Sequence, residues 1–457
     1  MHHETTWKGK LALLLKLAWP IAVTQVSLIG MNLVDTIMTG RVGTNDLAGV
    51  AIGSGLWTPI FTGVGGVLMA VSPIVAQQIG AGRTGLIGRT VNQAIYVAVA
   101  LALLVIGCGA VALGPLLAAM GVDPAVESIA FHYLVGLAVG IVPLFAANVL
   151  RYFFDAHGHT HLTMFIMLSA IPMNVLLNYG LIFGHFGLPA LGGVGAGYAT
   201  GITYWLVLAL SVAVTFRFKA IRGYAALAQW TVPSWKEWRA LLTVGLPIGL
   251  SIFFETGIFS VVTLMMGMMF TTETVAAHQV ALNFTSLIFM VPLSMAMALT
   301  IVVGYSVGAA REAAARQYAL LGVLGCVAFL AVSAAGLYVL RVPIARMYSP
   351  DPDVVGLAAS FLTIAIVYQL SDAAQVSLQG VLRGYKDVRV PFVIALVAYW
   401  VIGFPAGYAL AAYTAWGPRG FWIGITIGLT FAAIGFLIRL RRVQRGSLSK
   451  RTPASAR

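Results

Sequence analysis

Three carboxylates stand inside long apolar stretches of this sequence. Asp35, Glu255 and Asp372 are the acids, out of fourteen Asp and Glu residues, that the sequence does not put in or beside a loop or a terminus. A carboxylate at bilayer depth costs about 2.5 to 3.5 kcal/mol, so a chain that retains three is expected to use them. Burial disfavours the ionised carboxylate and a nearby cation restores it. These acids therefore predict reversible binding of a proton or a small cation.

Polar side chains share helical faces with these acids. Tyr368, Gln375 and Gln379 fall four before, three after and seven after Asp372, which is one face of a helix. We expect that face to line water. Two further polar stripes have helical spacing and are expected to line a cavity or to hydrogen-bond neighbouring helices: Gln279, Asn283 and Ser286, and Asn174 with Asn178.

The composition predicts that membrane-spanning helices position these residues. Of 457 residues, 60% are hydrophobic and only 9% are charged, which is too little polar material to cover an ordinary water-soluble core. A spanning helix needs about 20 apolar residues. The sequence holds twelve such runs: 11–39, 47–79, 91–118, 128–150, 162–184, 193–215, 240–268, 275–308, 317–340, 355–379, 390–413 and 419–438. No pattern of short alternating segments suggests a β-barrel, so the predicted fold is all-α.

The distribution of basic residues explains the net charge of +13 without a nucleic-acid partner. With both termini placed in the cytoplasm, 23 of the 27 Lys and Arg residues fall on the cytoplasmic side. This is the positive-inside bias of multi-pass membrane proteins. Cys108 and Cys326 both fall within predicted spans, so no disulfide framework is expected. His132 and His278 are expected to be packed or interfacial.

The two halves of the chain repeat each other. Pro20 aligns with Pro247, and IGAGR at 79–83 aligns with VGAAR at 307–311. Six helices repeated after an even number of crossings keep the same orientation, so two pseudo-symmetric six-helix bundles are predicted. The repeat also aligns two glycine runs that predict close helix packing: Gly193, Gly197 and Gly201 with Gly420, Gly424 and Gly428. The predicted domains are a first lobe, a cytoplasmic connector, a second lobe and a basic cytoplasmic tail: 1–216, 217–239, 240–440 and 441–457.

Several separated motifs resemble those of the multidrug and toxic compound extrusion (MATE) transporters, in their NorM-like branch. They are LAWPIAVTQ (17–25), VDTIMTGRVG (34–43), AAHQVALNF (276–284) and LQGVLRGYKDVRVPF (378–392). The resemblance covers nearly the whole chain. It implies two six-helix bundles that form a V around a central cleft in a bacterial inner membrane. It also implies export of cationic amphipathic drugs in exchange for sodium ions or protons.

The resemblance carries over to particular residues. The cation site of the second lobe is matched by Glu255, Asp372 and Tyr368, and the resemblance implies that both acids could bind Na⁺. The polar cluster of the first lobe is matched by Asp35, Asn174, Asn178 and Thr200. The segment DAHGHTHL (155–162) departs from the basic turn usual there, and its histidines suggest pH sensitivity near neutrality. We expect a monomer that needs no organic cofactor.

Two other functions remain as alternatives. A lipid-linked oligosaccharide flippase would have a related architecture, but its anionic cargo calls for Arg or Lys inside the helices. An intramembrane transferase that uses Mg²⁺ at a diphosphate would need clustered acids, and the closest pair is Asp351 and Asp353 in an outer loop. The chain lacks a P-loop motif, which disfavours ATP hydrolysis. The sequence does not decide between sodium and protons.

Overall fold

The computed structural model describes residues 4–224, 226–348 and 350–449, and every regular element in those ranges is helical. The predicted all-α fold is therefore confirmed. In the first half, the helices are α1 (Trp7–Gly40), α2 (Thr44–Leu68), α3 (Val71–Gly80), a 3₁₀ turn (Thr84–Leu86), α4 (Ile87–Ala119), α5 (Pro124–Ala138), α6 (Ile141–Ala156), α7 (Thr160–Phe183) and α8 (Gly193–Arg217). The remaining helices are α9 (Lys219–Arg222), α10 (Trp235–Met269), α11 (Thr272–Gly308), α12 (Glu312–Tyr348), α13 (Pro352–Gly384), α14 (Arg389–Leu396), a π-helical segment (Val397–Gly403), α15 (Phe404–Tyr413) and α16 (Arg419–Ser449).

The described residues contain eleven helical spans long and apolar enough to cross a bilayer, or twelve if the pair α5 and α6 is counted as one span. That pair is bent by 50° at its break, which lies within the predicted run 128–150. Gly140 lies at the bend, and a side chain there would overlap the backbone of Gly201 in α8. The bend is therefore tied to close packing of two glycines. The predicted run 47–79 is likewise divided, because α2 ends at Leu68 and α3 starts at Val71.

The repeated glycines bring helices into backbone contact, as the sequence predicts. A Cβ at Gly197 in α8 would overlap the carbonyl oxygen of Tyr133 in α5. A Cβ at Gly424 in α16 would overlap the backbone of Gly407 in α15. Small residues at such crossings allow the van der Waals packing that holds helices together in a bilayer.

The chain forms two compact units. The first is Val23–Gly249, and the second contains the described residues of 4–22 and 250–449. The chain changes unit within α1 and α10, shortly after Pro20 and Pro247, the two prolines that the internal repeat aligns. These points differ from the predicted limits at 216 and 240.

Contacts of the connector explain why it belongs to the first unit. Asn92 and Gln93 are fully buried in α4 and point at the connector backbone. Asn92 Nδ2 donates to the Gln229 carbonyl at 2.6 Å, and Gln93 Nε2 donates to the Val232 carbonyl at 2.8 Å. Gln93 Oε1 accepts from the Trp238 indole at 2.9 Å. The 217–239 segment is thus hydrogen-bonded to α4, which the charge pattern alone did not indicate.

Helix α16 continues past the predicted end of the second lobe at 440 and reaches Ser449. Arg439 forms a bidentate pair with Asp387, with Nε 2.6 Å from Oδ2 and Nη2 3.1 Å from Oδ1. The last part of the predicted basic tail, 450–457, lies outside the described residues.

Candidate cation-binding sites

The first unit holds Asp35 in a buried hydrogen-bond network. The side chain is 3% exposed in α1, beside a core built from α2, α5, α7 and α8. Asn178 Nδ2 donates to Asp35 Oδ1 at 2.6 Å, and Thr200 Oγ1 donates to Asp35 Oδ2 at 2.8 Å. Asn174 completes the network, since its Oδ1 accepts from Asn178 at 3.1 Å and its Nδ2 donates to Thr200 at 3.2 Å. The structure thus brings together all four residues that the sequence proposed for the first lobe.

Only neutral groups surround this carboxylate among the contacts described. None of the described ion pairs includes Asp35. The Asn178 Oδ1 atom is buried and has no hydrogen-bond partner in the described part of the chain. A carboxylate and an amide oxygen are both suitable ligands for a hard cation, which prefers oxygen. This arrangement is chemically able to exchange a proton or a small cation.

The second unit places Asp372 on a buried polar face of α13. Asp372 is 5% exposed, and Tyr368, Gln375 and Gln379 are buried with it. The Tyr368 hydroxyl lies against the Asp372 carboxylate one helical turn away, where it can donate a hydrogen bond. The stripe predicted from spacing therefore exists, and it faces the interior of the unit.

Glu255 in α10 is close enough to Asp372 for their charges to interact. The Gln375 amide and the Tyr399 hydroxyl also lie near Glu255, but neither meets hydrogen-bond geometry. Both polar atoms of Gln375 and the Tyr399 oxygen are buried without a partner in the described residues. Unpaired buried polar groups are costly. A cation bound beside the two carboxylates would give the Gln375 and Tyr399 oxygens a partner.

Sequence reasoning missed Tyr399, because its position depends on a local irregularity. Tyr399 lies in the π-helical segment Val397–Gly403, a kind of irregularity that often occurs at functional sites. The neighbouring Trp400 donates its indole N–H to the Phe254 carbonyl at 3.1 Å. This bond fixes the π-helical segment against α10, next to Glu255.

The predicted cavity residues on α11 lie elsewhere. Gln279, Asn283 and Ser286 are exposed along one face of the helix. In the described part of the second unit, no hydrogen bond or ion pair joins Gln279 or Asn283 to Glu255 or Asp372. Buried His278 is the next residue before Gln279, so the polar stripe and the buried face of α11 are distinct.

Comparison with known proteins decides the family. The MatE family model matches residues 20–180 and again 247–409, so the two matches begin at Pro20 and Pro247, the pair that the repeat aligns. The chain belongs to the MatE family. It is a transport protein and not an enzyme.

Relatives and solved structures of MatE proteins match the chain over nearly its full length. It is 50% identical to "Probable multidrug resistance protein NorM" of Geobacillus kaustophilus, covering 98% of each chain. It is 49% identical to the protein of the same name from Halalkalibacterium halodurans, covering 96% of this chain and 95% of the relative. A crystal structure of a MATE protein in a bent conformation superposes with a TM-score of 0.86 at 21% identity and covers 98% of this chain and all of that one. At 21% identity, the similarity to this crystal structure concerns the fold alone.

This MatE chain also buries an acid that the sequence put beside a loop. Asp155 is 2% exposed in the last turn of α6, and Arg151 one turn earlier is 9% exposed. Asp155 Oδ1 accepts from Thr163 at 3.0 Å, and Arg151 Nη2 donates to Gln25 Oε1 at 2.7 Å. The Arg151 Nε and Asp155 Oδ2 atoms are 3.9 Å apart. Asp155 lies beside a loop, as the sequence indicates, and it is buried there because α6 is buried on nearly all sides up to its end.

Basic side chains at the ends of helices are buried as well. Arg383 is 4% exposed in the last turn of α13 and donates to Gln379 Oε1 at 2.8 Å. It interacts electrostatically with Glu255. Within the repeat, Arg383 corresponds to Asp155, so the two units place opposite charges at equivalent helix ends.

The histidine-rich segment does not supply the expected sensor near neutrality at its first histidine. His157 follows α6, is 8% exposed, and packs its ring 4.3 Å from that of Tyr224. Burial lowers the pKa of His157 from 6.5 to about 4. The ring is therefore neutral across the physiological range.

His157 is expected to make the protein sensitive to acid. Because its folded-state pKa lies below the ordinary value, its stabilising contribution is complete above about pH 6.5 and is lost as the pH falls towards 4. Thermal unfolding in detergent over this range should show a smaller loss of stability for His157→Gln than for the wild type. Parallel curves for the two proteins would contradict this assignment.

Proposed function

We propose that this chain exports cationic amphipathic compounds by antiport with Na⁺ or protons, and that Asp35, Glu255 and Asp372 bind the coupling cation. That the chain is a multidrug efflux transporter rests on its family and on relatives named as multidrug resistance proteins. The coupling ion and the class of substrate are our inference from the sites. No other cofactor is part of the proposal.

The observation that carries this proposal is the burial of Asp35 in one unit and Asp372 in the other, outside the ion pairs of the described residues. Glu255 lies beside Asp372 and also interacts with Arg383. The ion pairs in the described residues involve Asp155, Glu237 and Asp387, and none involves the three proposed acids. A charge held in this way is available to a mobile cation. A structural acid would instead be neutralised by a fixed one.

Drug and coupling cation compete for the same negative charge in this mechanism. A site that holds a proton or Na⁺ attracts a cationic drug weakly, whereas an ionised site attracts it strongly. Entry of the coupling cation down its gradient then releases the drug to the outside. Coupling also requires each ligand to bind some conformations more tightly than others. A ligand with equal affinity for two conformations leaves the equilibrium between them unchanged.

The exposed stripe of Gln279 and Asn283 is proposed to contact the substrate. Their amides offer both donors and acceptors without adding charge, which suits cations of varied shape. The membrane is proposed to be a bacterial plasma membrane with both termini in the cytoplasm, on the strength of the basic-residue distribution. The flippase alternative has less support, since the relatives are named for multidrug resistance.

Reconstituted vesicles test the proposal and identify the ion. Purified protein is placed in liposomes that contain a cationic dye, and either a sodium gradient or a pH gradient is imposed at zero membrane potential. We expect one of the two gradients to drive dye movement against its own gradient. Vesicles that respond to neither gradient would contradict antiport, and dye movement driven only by added ATP would point to another class of transporter.

A further inference from the structure

His278 is fully buried in the second unit and both of its ring nitrogens are hydrogen-bonded. The Trp422 indole Nε1 is 3.1 Å from His278 Nδ1. The Thr263 hydroxyl is 2.9 Å from His278 Nε2, and that hydroxyl donates to the Phe259 carbonyl at 2.8 Å. The ring therefore connects α10, α11 and α16.

These partners fix the tautomer of His278. An indole N–H is a donor only, so Nδ1 must accept and carries no hydrogen. The single hydrogen of the Thr263 hydroxyl is already used by the Phe259 carbonyl, so Nε2 carries the proton and donates to Thr263. The neutral Nε2–H form is the one that satisfies every donor and acceptor in this group.

Trp422 in turn forms part of the wall around Tyr368. The Trp422 and Tyr368 rings meet edge to face, with centroids 5.7 Å apart and planes at 71°. Phe361 stacks on Trp422 at 6.0 Å, and Phe259 meets Tyr368 at 6.3 Å and 86°. Tyr368 thus contacts two aromatic side chains, and its hydroxyl lies against Asp372.

We propose that His278 and Trp422 are positioning residues for the cation site, because they orient Tyr368 towards Asp372. The hydrogen bond from Trp422 to His278 fixes the indole plane, and the indole plane fixes the direction of the tyrosine ring. The inference rests on the proposed function, since it assigns a role within the site of Glu255 and Asp372. Without the acceptor at His278, the indole loses its fixed rotation and Tyr368 loses one wall.

The substitutions His278→Asn and His278→Leu separate this role from simple packing. The Asn Oδ1 atom takes nearly the place of His Nδ1 and can still accept from Trp422, whereas Leu fills the space without an acceptor. Trp422→Phe keeps an aromatic ring and removes the N–H donor. Tyr368→Phe removes only the hydroxyl that the positioning is proposed to serve.

The experiment measures release of bound ethidium from the full-length protein in detergent as Na⁺ and, separately, pH are titrated. His278→Leu is expected to change the cation concentration for half-maximal release about tenfold, the size of one lost hydrogen bond to a charged group. With protons that concentration should fall, because Tyr368 no longer donates to the ionised Asp372 carboxylate. His278→Asn should stay within about twofold of the wild type, because the acceptor is retained. In the Tyr368→Phe background, His278→Leu should cause no further change, because both substitutions remove the same interaction.

The experiment distinguishes failure of the positioning role from failure of the proposed function. If neither cation releases ethidium from the wild type, the proposed function is contradicted. If the wild type responds, equal curves for His278→Leu and the wild type overturn the positioning role, as do additive effects of His278→Leu and Tyr368→Phe. Should His278→Leu unfold, as judged by its melting temperature, Trp422→Phe gives the same comparison with and without Tyr368→Phe.

Discussion

Glu255→Gln and Asp372→Asn are each expected to reduce gradient-driven dye export to the level of protein-free vesicles. Each change removes one negative charge and preserves the size and hydrogen-bonding capacity of the side chain. The two acids interact electrostatically, so loss of either charge weakens the attraction of the site for both the drug and the coupling cation. The measurement is the initial rate of dye movement at equal protein content.

Matched substitutions on the same or adjacent helices control for nonspecific effects. Asp353→Asn changes an exposed acid in the first turn of α13, and Glu273→Gln changes an exposed acid in the first turn of α11. Both should export dye at nearly the wild-type rate and be inserted in the membrane in equal amounts. Unimpaired export by Glu255→Gln and Asp372→Asn together would remove these acids from the mechanism.

Asp35→Asn is expected to abolish coupled export while the protein remains folded. The substituted amide still fits the network, because the Asn178 amide can turn its oxygen to the new N–H₂ group and the Thr200 hydroxyl can accept as well as donate. Only the exchangeable charge is lost. We therefore expect a small change in melting temperature and a large loss of transport, a combination that a purely structural role would not produce.

Thr36→Ala is the control for this change. Thr36 follows Asp35 in the same turn of α1, is exposed, and donates a hydrogen bond to the Asn32 carbonyl of its own helix. Its removal should leave both stability and transport close to the wild type. Normal transport by Asp35→Asn would remove Asp35 from the mechanism. A large fall in its melting temperature together with lost transport would show that the network serves stability.

Much of both sites could be predicted from local spacing. Asn174 and Asn178 lie one turn apart on α7, and this i, i+4 relation predicted a shared face that the structure confirms through their hydrogen bond. The stripe around Asp372 followed from the same rule. Thr200 was proposed only by family resemblance, since a lone threonine near glycines carries no signal of its own.

Other features depend on tertiary structure that one sequence does not specify. Asp155 lies in the last turn of a helix, and only the packing of α6 on its neighbours decides that such a position is buried. Tyr399 reaches Glu255 through a π-helical segment, which shifts side-chain directions relative to an α-helix. The unit division within α1 and α10 reflects contacts between distant segments, whereas the sequence boundaries were drawn from charge and loop length.

The most direct test of the central claim is equilibrium binding of a cationic dye to the purified protein at a series of Na⁺ concentrations and pH values. We expect the apparent dissociation constant of the dye to rise in proportion to the concentration of the coupling cation, and reciprocally the affinity for that cation to fall as dye is added. The proportional rise should disappear in a protein that carries Asp35→Asn, Glu255→Gln and Asp372→Asn together. Dye affinity that is independent of both Na⁺ and pH in the wild type would contradict the account.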